Sequence, residues 1–307
     1  MSNKIYKYIS PFVFDNVFAK EGFCTIKCSL PEDFNDPYEL FLTINYLQEP
    51  EALAFYKEVI GEIPQLPVTC FSRSPGVIPM WAHYAHNQKG FVIEIDEEKF
   101  KGHFPDYQIS DVDYRDEPNE GFTELLHRGF RIMKPRYVYM LQRGVFSAAY
   151  YSKKCCWEYE QEKRLVLNKN DVYEIGGHLL FDIPEGCVTA IISGARSSQP
   201  INEGLREIAN SFNCNYLRMH IGKTSSNPYF IDGEENPYCF ENGSLKTVDF
   251  YCGECFEPTQ ENVDICAWCQ ITEDHVVSAA ESNPFRRLAH FGLLDNYIKS
   301  MDEIGKK

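Results

Sequence analysis

The chain is expected to fold as an α+β protein: a mixed, mainly antiparallel central sheet with flanking helices, then a small zinc-ribbon-like module and a terminal helix. Three observations lead there. Short apolar runs of strand length, separated by glycine, proline and polar turns, recur between residues 5 and 221. A strand–helix–strand unit closes that series. Four cysteines near the C-terminus, Cys252, Cys255, Cys266 and Cys269, then form two Cys-x-x-Cys pairs with ten residues between them.

The elements can be justified in order. Ile5–Ile9 and Phe23–Ser29 read as strands around a helix or turn at Phe12–Lys20. Pro50–Glu62 reads as a helix bounded by Pro50 and Pro64. Val68–Phe71 is a short apolar strand. A proline-started helix follows from Pro79 to about Asn87, and Gly90 precedes the strand Phe91–Asp96. Residues 103–120 read as loop around a strand at Ile109–Tyr114, Glu120–Met133 as a helix, and Trp157–Asn168 as a strand. Val188–Ser193 is a buried strand. In the helix Gln199–Phe212, residues Ile201, Leu205, Ile208, Ala209 and Phe212 form one apolar stripe, and Tyr216–Ile221 returns as a strand. The expected organisation is a main domain over 1–222, a linker over 223–247 carrying Pro228 and Pro237, a cysteine module over 248–275 and an amphipathic helix over 276–307.

Cysteines two residues apart can present both thiolates to one metal from a tight turn. Two such turns complete a tetrahedral S4 shell, the arrangement zinc takes most readily. A closed shell leaves no open coordination position, so Zn2+ is expected to be structural. A redox pair, a disulfide staple and a rubredoxin-type iron site are the alternatives.

Composition narrows the function classes. With 44% hydrophobic and 14% aromatic residues the chain can build a core. The opening residues contain no apolar targeting run and no window is long enough to span a bilayer, so the expectation is cytoplasmic, with no membrane partner. Twelve cysteines then read as reduced thiols plus a metal site. A net charge of −15 does not support non-specific binding to nucleic acid, though a nucleic-acid acceptor in an enzymatic reaction stays compatible. A protein partner fits the acidity better.

Three constellations could carry chemistry. Phe34-Asn35-Asp36-Pro37-Tyr38-Glu39 is a rigid polar corner, either a structural turn or a presentation of Asn35, Asp36 and Glu39 to a ligand. Cys70-Phe71-Ser72 precedes Met80-Trp81-Ala82-His83-Tyr84-Ala85-His86, whose aromatic and histidine side chains could stack a planar ring or simply fill a core. In the segment from Trp157 to Arg164, a strand would place Glu158, Glu160, Glu162 and Arg164 on one face. Carboxylates so placed repel one another and raise a pKa unless Arg164, Lys163 or Lys154 compensates. On an exposed face they would merely solubilise.

Together with Tyr6-Lys7-Tyr8, Lys89-Gly90-Phe91 and Ile192-Ser193-Gly194, these segments resemble a bacterial family, domain of unknown function 2971, over roughly residues 4–220. The family's layout is distantly similar to ADP-ribosyltransferase toxins, with a polar residue on the first strand, a Ser or Tyr on a middle strand and a Glu on a late strand. That resemblance implies an NAD-using effector, a toxin or antiviral defence component, controlled by a protein partner such as an antitoxin. It implies that Tyr6 or Lys7 holds the ribose or phosphates of NAD, with Asn35, Asp36, Ser72 and His83 lining the substrate. Trp81 or Tyr84 would stack nicotinamide. Glu160 or Glu162, supported by Arg164, would stabilise the cation formed as nicotinamide leaves. The usual first-strand Arg or His is replaced here by Tyr6-Lys7-Tyr8. The competing expectation is a non-enzymatic module whose zinc piece and terminal helix bind a partner.

Overall fold

A computed structural model of the protein describes residues 3–34, 36, 38, 43–61 and 63–304. The chain divides into two compact units, Met1–Thr247 and Val248–Lys307. The first half of the larger unit runs β1 (Lys4–Ile9), α1 (Phe14–Val17), β2 (Phe23–Cys28), α2 (Pro50–Ile60), β3 (Val68–Ser72), α3 (Ile78–His83), β4 (Phe91–Asp96), α4 (Glu97–His103), β5 (Ile109–Asp111) and β6 (Asp113–Tyr114). It continues through α5 (Glu120–Ile132), α6 (Pro135–Tyr151), β7 (Ser152–Lys153), β8 (Glu162–Val166), β9 (Tyr173–Ile175), β10 (His178–Pro184), β11 (Val188–Ser193), α7 (Gln199–Ser211) and β12 (Asn215–His220). Three strands end it: β13 (Tyr229–Asp232), β14 (Pro237–Glu241) and β15 (Ser244–Thr247).

Ten strands form one sheet in the order β15-β14-β13-β12-β11-β4-β1-β3-β8-β5. Within it, β11 and β12 pair in parallel across α7, while the other described pairings are antiparallel. This is the expected mixed, mainly antiparallel sheet. The apolar stripe of α7 packs on it through buried Leu205 and Ala209.

β4 is buried along its whole length, because both faces of the sheet are covered. Alternation sorts the side chains. Ile5, Ile93, Phe71 and Leu165 enter one core with β2 and β10. Tyr6, Tyr8, Val92 and Ile192 face the other way into a second core with Met80 and Trp81 of α3. Two glycines let the backbone close up beneath α3. A Cβ on Gly90 would lie 2.1 Å from the Ile9 carbonyl oxygen, and one on Gly194 would lie 2.2 Å from that of Gln88.

Four expectations need correction. Residues 223–247 are not linker, because β13–β15 extend the sheet and bury Phe230. The seventeen-residue α6 packs on α5 where no element was expected. A Cβ on its Gly144 would lie 2.4 Å from the Phe122 ring, so glycine permits that approach. Residues 155–160 form a 3-10 turn and Gln161 is left-handed (φ 47°), so the strand begins only at Glu162. The C-terminal segment is three helices, α8 (Glu273–Ser282), α9 (Pro284–His290) and α10 (Leu294–Ile304), interrupted at Asn283-Pro284 and Gly292. No described helix is long and apolar enough to cross a membrane.

Candidate functional site

Antiparallel register gathers residues far apart in sequence. Tyr6 of β1 lies opposite Ser72 of β3, and Ser72 lies opposite Glu162 of β8. On the other side Tyr6 lies opposite Glu94 of β4. Residues opposite one another project to the same face, so Glu94, Tyr6, Ser72 and Glu162 form one polar row across four strands. Lys7 and Lys163, one residue further along their strands, belong to the opposite face. Lys7 there donates to Thr69 Oγ1 (2.8 Å) and the Cys70 carbonyl (2.9 Å), and burial lowers its pKa.

At the β8 end of the row sits a buried charge cluster. Arg164 donates from Nε to Glu162 Oε1 (2.8 Å) and from Nη2 to Oε2 (3.1 Å), a two-pronged pair. A third donation, from Nη1, reaches the Tyr150 carbonyl at 3.0 Å, and the guanidinium lies over the Phe34 ring. Lys153 bridges the two carboxylates, 2.6 Å from Glu160 Oε2 and 3.1 Å from Glu162 Oε2. The hydroxyl of Tyr84 donates to Glu160 Oε1 at 2.7 Å. Glu160 and Glu162 are 2% and 4% exposed, so this network is dry.

The left-handed Gln161 explains the convergence. It turns Glu160 back toward Lys153 while Glu162 joins the strand. Glu158 is exposed and outside the cluster. Two carboxylates and two cations balance, so the repulsion expected from an uncompensated strand face does not arise. Burial opposes ionisation of Glu162, but Arg164 and Lys153 outweigh it and hold its pKa at about 2. Burial likewise opposes the charge on Lys153, and Glu162 and Glu160 prevail to raise its pKa. Glu162 is therefore a fixed anion at neutral pH, unsuited to general-base work.

The remaining candidates separate. Trp81 is fully buried, with its Nε1 donating to the Pro75 carbonyl (2.7 Å) and its ring edge-on to Tyr8; it is core and cannot stack a ligand. His83 is exposed beside Tyr84 and bonds to neither glutamate. Ser72 is buried, its Oγ accepting from Ser74 N at 3.2 Å. Tyr6 donates to Glu94 Oε2 at 3.0 Å, and burial first, then Glu94, raises its pKa. Asp36 closes a turn by accepting from Tyr38 N (2.9 Å), while Asn35 and Glu39 lie outside the described residues. The sequence does not single out Lys153, Glu94 or Tyr114, whose hydroxyl accepts from Glu162 N at 2.7 Å. Nothing local in the sequence shows that Lys153 faces two glutamates.

In the second unit the cysteine spacing becomes a cluster. The sulfurs of Cys252, Cys255, Cys266 and Cys269 lie within 4.8 Å of one another, Cys255 and Cys266 at 3.9 Å. Sulfurs bound to one tetrahedral zinc would be about 3.8 Å apart, given Zn–S bonds of about 2.3 Å. Backbone amides support them: Cys266 N donates to Cys252 Sγ (3.3 Å) and Cys269 N to Cys266 Sγ (3.4 Å). Burial would raise the Cys252 thiol, but the amides of Cys266, Cys255 and Glu254 bring it down to about 6. Contacts with Cys266 and Cys255 raise Cys269. Four sulfurs so placed could bind a metal ion, with no position left for substrate.

Residues 80–165 match the model of a family described as a protein of unknown function, DUF2971. The match begins in α3 and ends in β8, spanning Tyr84, Lys153, Glu160, Glu162 and Arg164. A solved structure of Thermus sp. 2.9 DarT in complex with ADP-ribosylated ssDNA is similar at 12% identity over 69% of this chain and 90% of that chain, with a TM-score of 0.27. No curated protein matches the chain.

Proposed function

We propose that residues 1–247 form an NAD-using ADP-ribosyltransferase-like enzyme, an effector of the toxin or antiviral-defence kind. The observation that carries this reading is the row of Tyr6, Ser72 and Glu162 across three adjacent strands, with Glu160 held beside it. A polar residue on the first strand, a serine on a middle strand and a glutamate on a late strand follow the layout that the resemblance to ADP-ribosyltransferase toxins implies.

Breaking the bond between ribose C1′ and nicotinamide sends the electron pair to the leaving ring and leaves positive charge on the sugar. An anion already fixed in a dry site stabilises that charge without reorganisation. Glu160 is the carboxylate for the task. One of its oxygens is tied to Lys153 and the other is capped by Tyr84, the half-buried member of the network through which a ligand reaches it. Glu162, held by Arg164, is a positioning residue that keeps Lys153 and Glu160 in place. The zinc bound by the cysteine module is structural in this reading.

Purified protein incubated with NAD, alone and with cell lysate, is expected to release nicotinamide. Glu160→Gln should reduce release by about 10²-fold or more, with a urea midpoint lowered less than that of Glu162→Gln, and Tyr84→Phe should reduce release less. No release by the wild type, or unchanged release by Glu160→Gln, would remove the enzymatic assignment. One observation favours the second reading, a protein-binding module. None of α8–α10 buries a residue, and Phe285, Phe291, Leu293 and Ile304 are exposed.

A further inference from the structure

A cavity of about 610 Å³ opens where β11 and β12 end, away from the glutamates. Its size lies within the range of small-molecule sites, and its walls are of two kinds. Ile78 and Ile221 supply an apolar side. Arg196 and Arg218 supply a cationic side, both exposed to solvent. Among the described residues neither guanidinium has a carboxylate or a side-chain hydrogen-bond partner. In a chain of net charge −15, two neighbouring arginines without a carboxylate form a local exception to the acidic balance.

The wall is also built rigidly. His86, Asn87 and Gln88 take φ values of 48°, 54° and 69°, three consecutive non-glycine residues in the left-handed region. Such backbone costs energy and persists only where its surroundings dictate it. Here Gly194 lets the end of β11 close against the Gln88 carbonyl, which accepts from Arg196 N at 3.0 Å. The turn thereby fixes both Gln88 and the backbone of Arg196 at the cavity. His220, two residues beyond Arg218 along β12, stacks on Tyr229, with ring centroids 5.4 Å apart. Burial and then Arg218 lower its pKa to about 4, so it is a neutral planar group at pH 7.

We propose that this cavity binds a nucleoside diphosphate, with its phosphates on Arg196 and Arg218 and its base against the wall of Ile78, Ile221 and His220. Guanidinium forks match phosphate oxygens in pairs, and the apolar wall accounts for a base rather than phosphate alone. The site is distinct from the glutamate cluster: β12 and β8 are five strand positions apart in the sheet, about 24 Å along it at ordinary strand spacing.

Calorimetric titration of the full chain with ADP, inorganic pyrophosphate and adenosine tests this without reference to nicotinamide release. Saturable ADP binding is expected, at least about tenfold tighter than either fragment. Arg196→Ala and Arg218→Ala should each weaken ADP about tenfold or more, and the double variant should abolish it, while Arg131→Ala on α5 leaves it unchanged. Both cavity arginines are exposed, so unchanged melting temperatures are expected. Absence of ADP binding, equal affinity for pyrophosphate and ADP, or full affinity in the double variant would each overturn the assignment.

Discussion

Glu162 shows how a buried carboxylate can be committed to holding the fold together. Its two oxygens answer Arg164 and Lys153, both buried with it. Replacing it with glutamine keeps the shape but removes the charge on which two buried cations depend. Glu162→Gln is therefore expected to lose about 3–5 kcal/mol, read from the urea midpoint, whereas Glu160→Gln leaves Lys153 still paired with Glu162. A shift of the midpoint equal to that of Glu160→Gln would contradict this division of labour. The same pair sets an acid limit. The Glu162 pKa is about 2 in the fold, below its ordinary 4.5, so its stabilisation is complete above 4.5 and drains away as pH falls toward 2. Urea midpoints measured across that window should fall in the wild type and flatten in Glu162→Gln.

At the scale of elements, the junction of β4, β11 and the turn after α3 decides what lies over the sheet. Gly90 and Gly194 sit where a Cβ would meet backbone, which cannot rotate aside. Gly194→Ala should therefore cost about 3 kcal/mol or more and displace Gln88, read as a lowered urea midpoint together with altered amide resonances at 86–90. A midpoint within experimental error of wild type would refute the close approach. The motif Ser193-Gly194 was visible as a strand end, but its reason lies in a carbonyl about a hundred residues earlier in the chain. α6 was illegible for a related cause: its buried Leu141, Val145, Ala148 and Ala149 are interleaved with tyrosines and Gly144, whose roles depend on the packing partner α5.

At the scale of the molecule, two compact units hold different side-chain clusters, buried ion pairs in one and four cysteines in the other. Purified protein is expected to contain one zinc per chain by elemental analysis. Cys252→Ser should lose the metal and unfold residues 248–271 at a cost of several kcal/mol, leaving the pairing of Glu160, Glu162 and Arg164 unchanged by NMR. Iron in place of zinc, or a retained metal in the variant, would contradict the assignment. By itself the sequence determined what depends on neighbours along the chain: the Cys-x-x-Cys spacing, the stripe of α7, the strands β1, β4 and β11, and hence the α+β class. Only the tertiary structure decided that 223–247 extends the sheet, that Trp81 is sealed, that Lys7 and Tyr6 part to opposite faces, and that Lys153 joins Glu160 to Glu162. Spacing and alternation are local and can be counted. Strand register and the pairing of buried charges are settled only when segments distant in sequence compete for the same dry space.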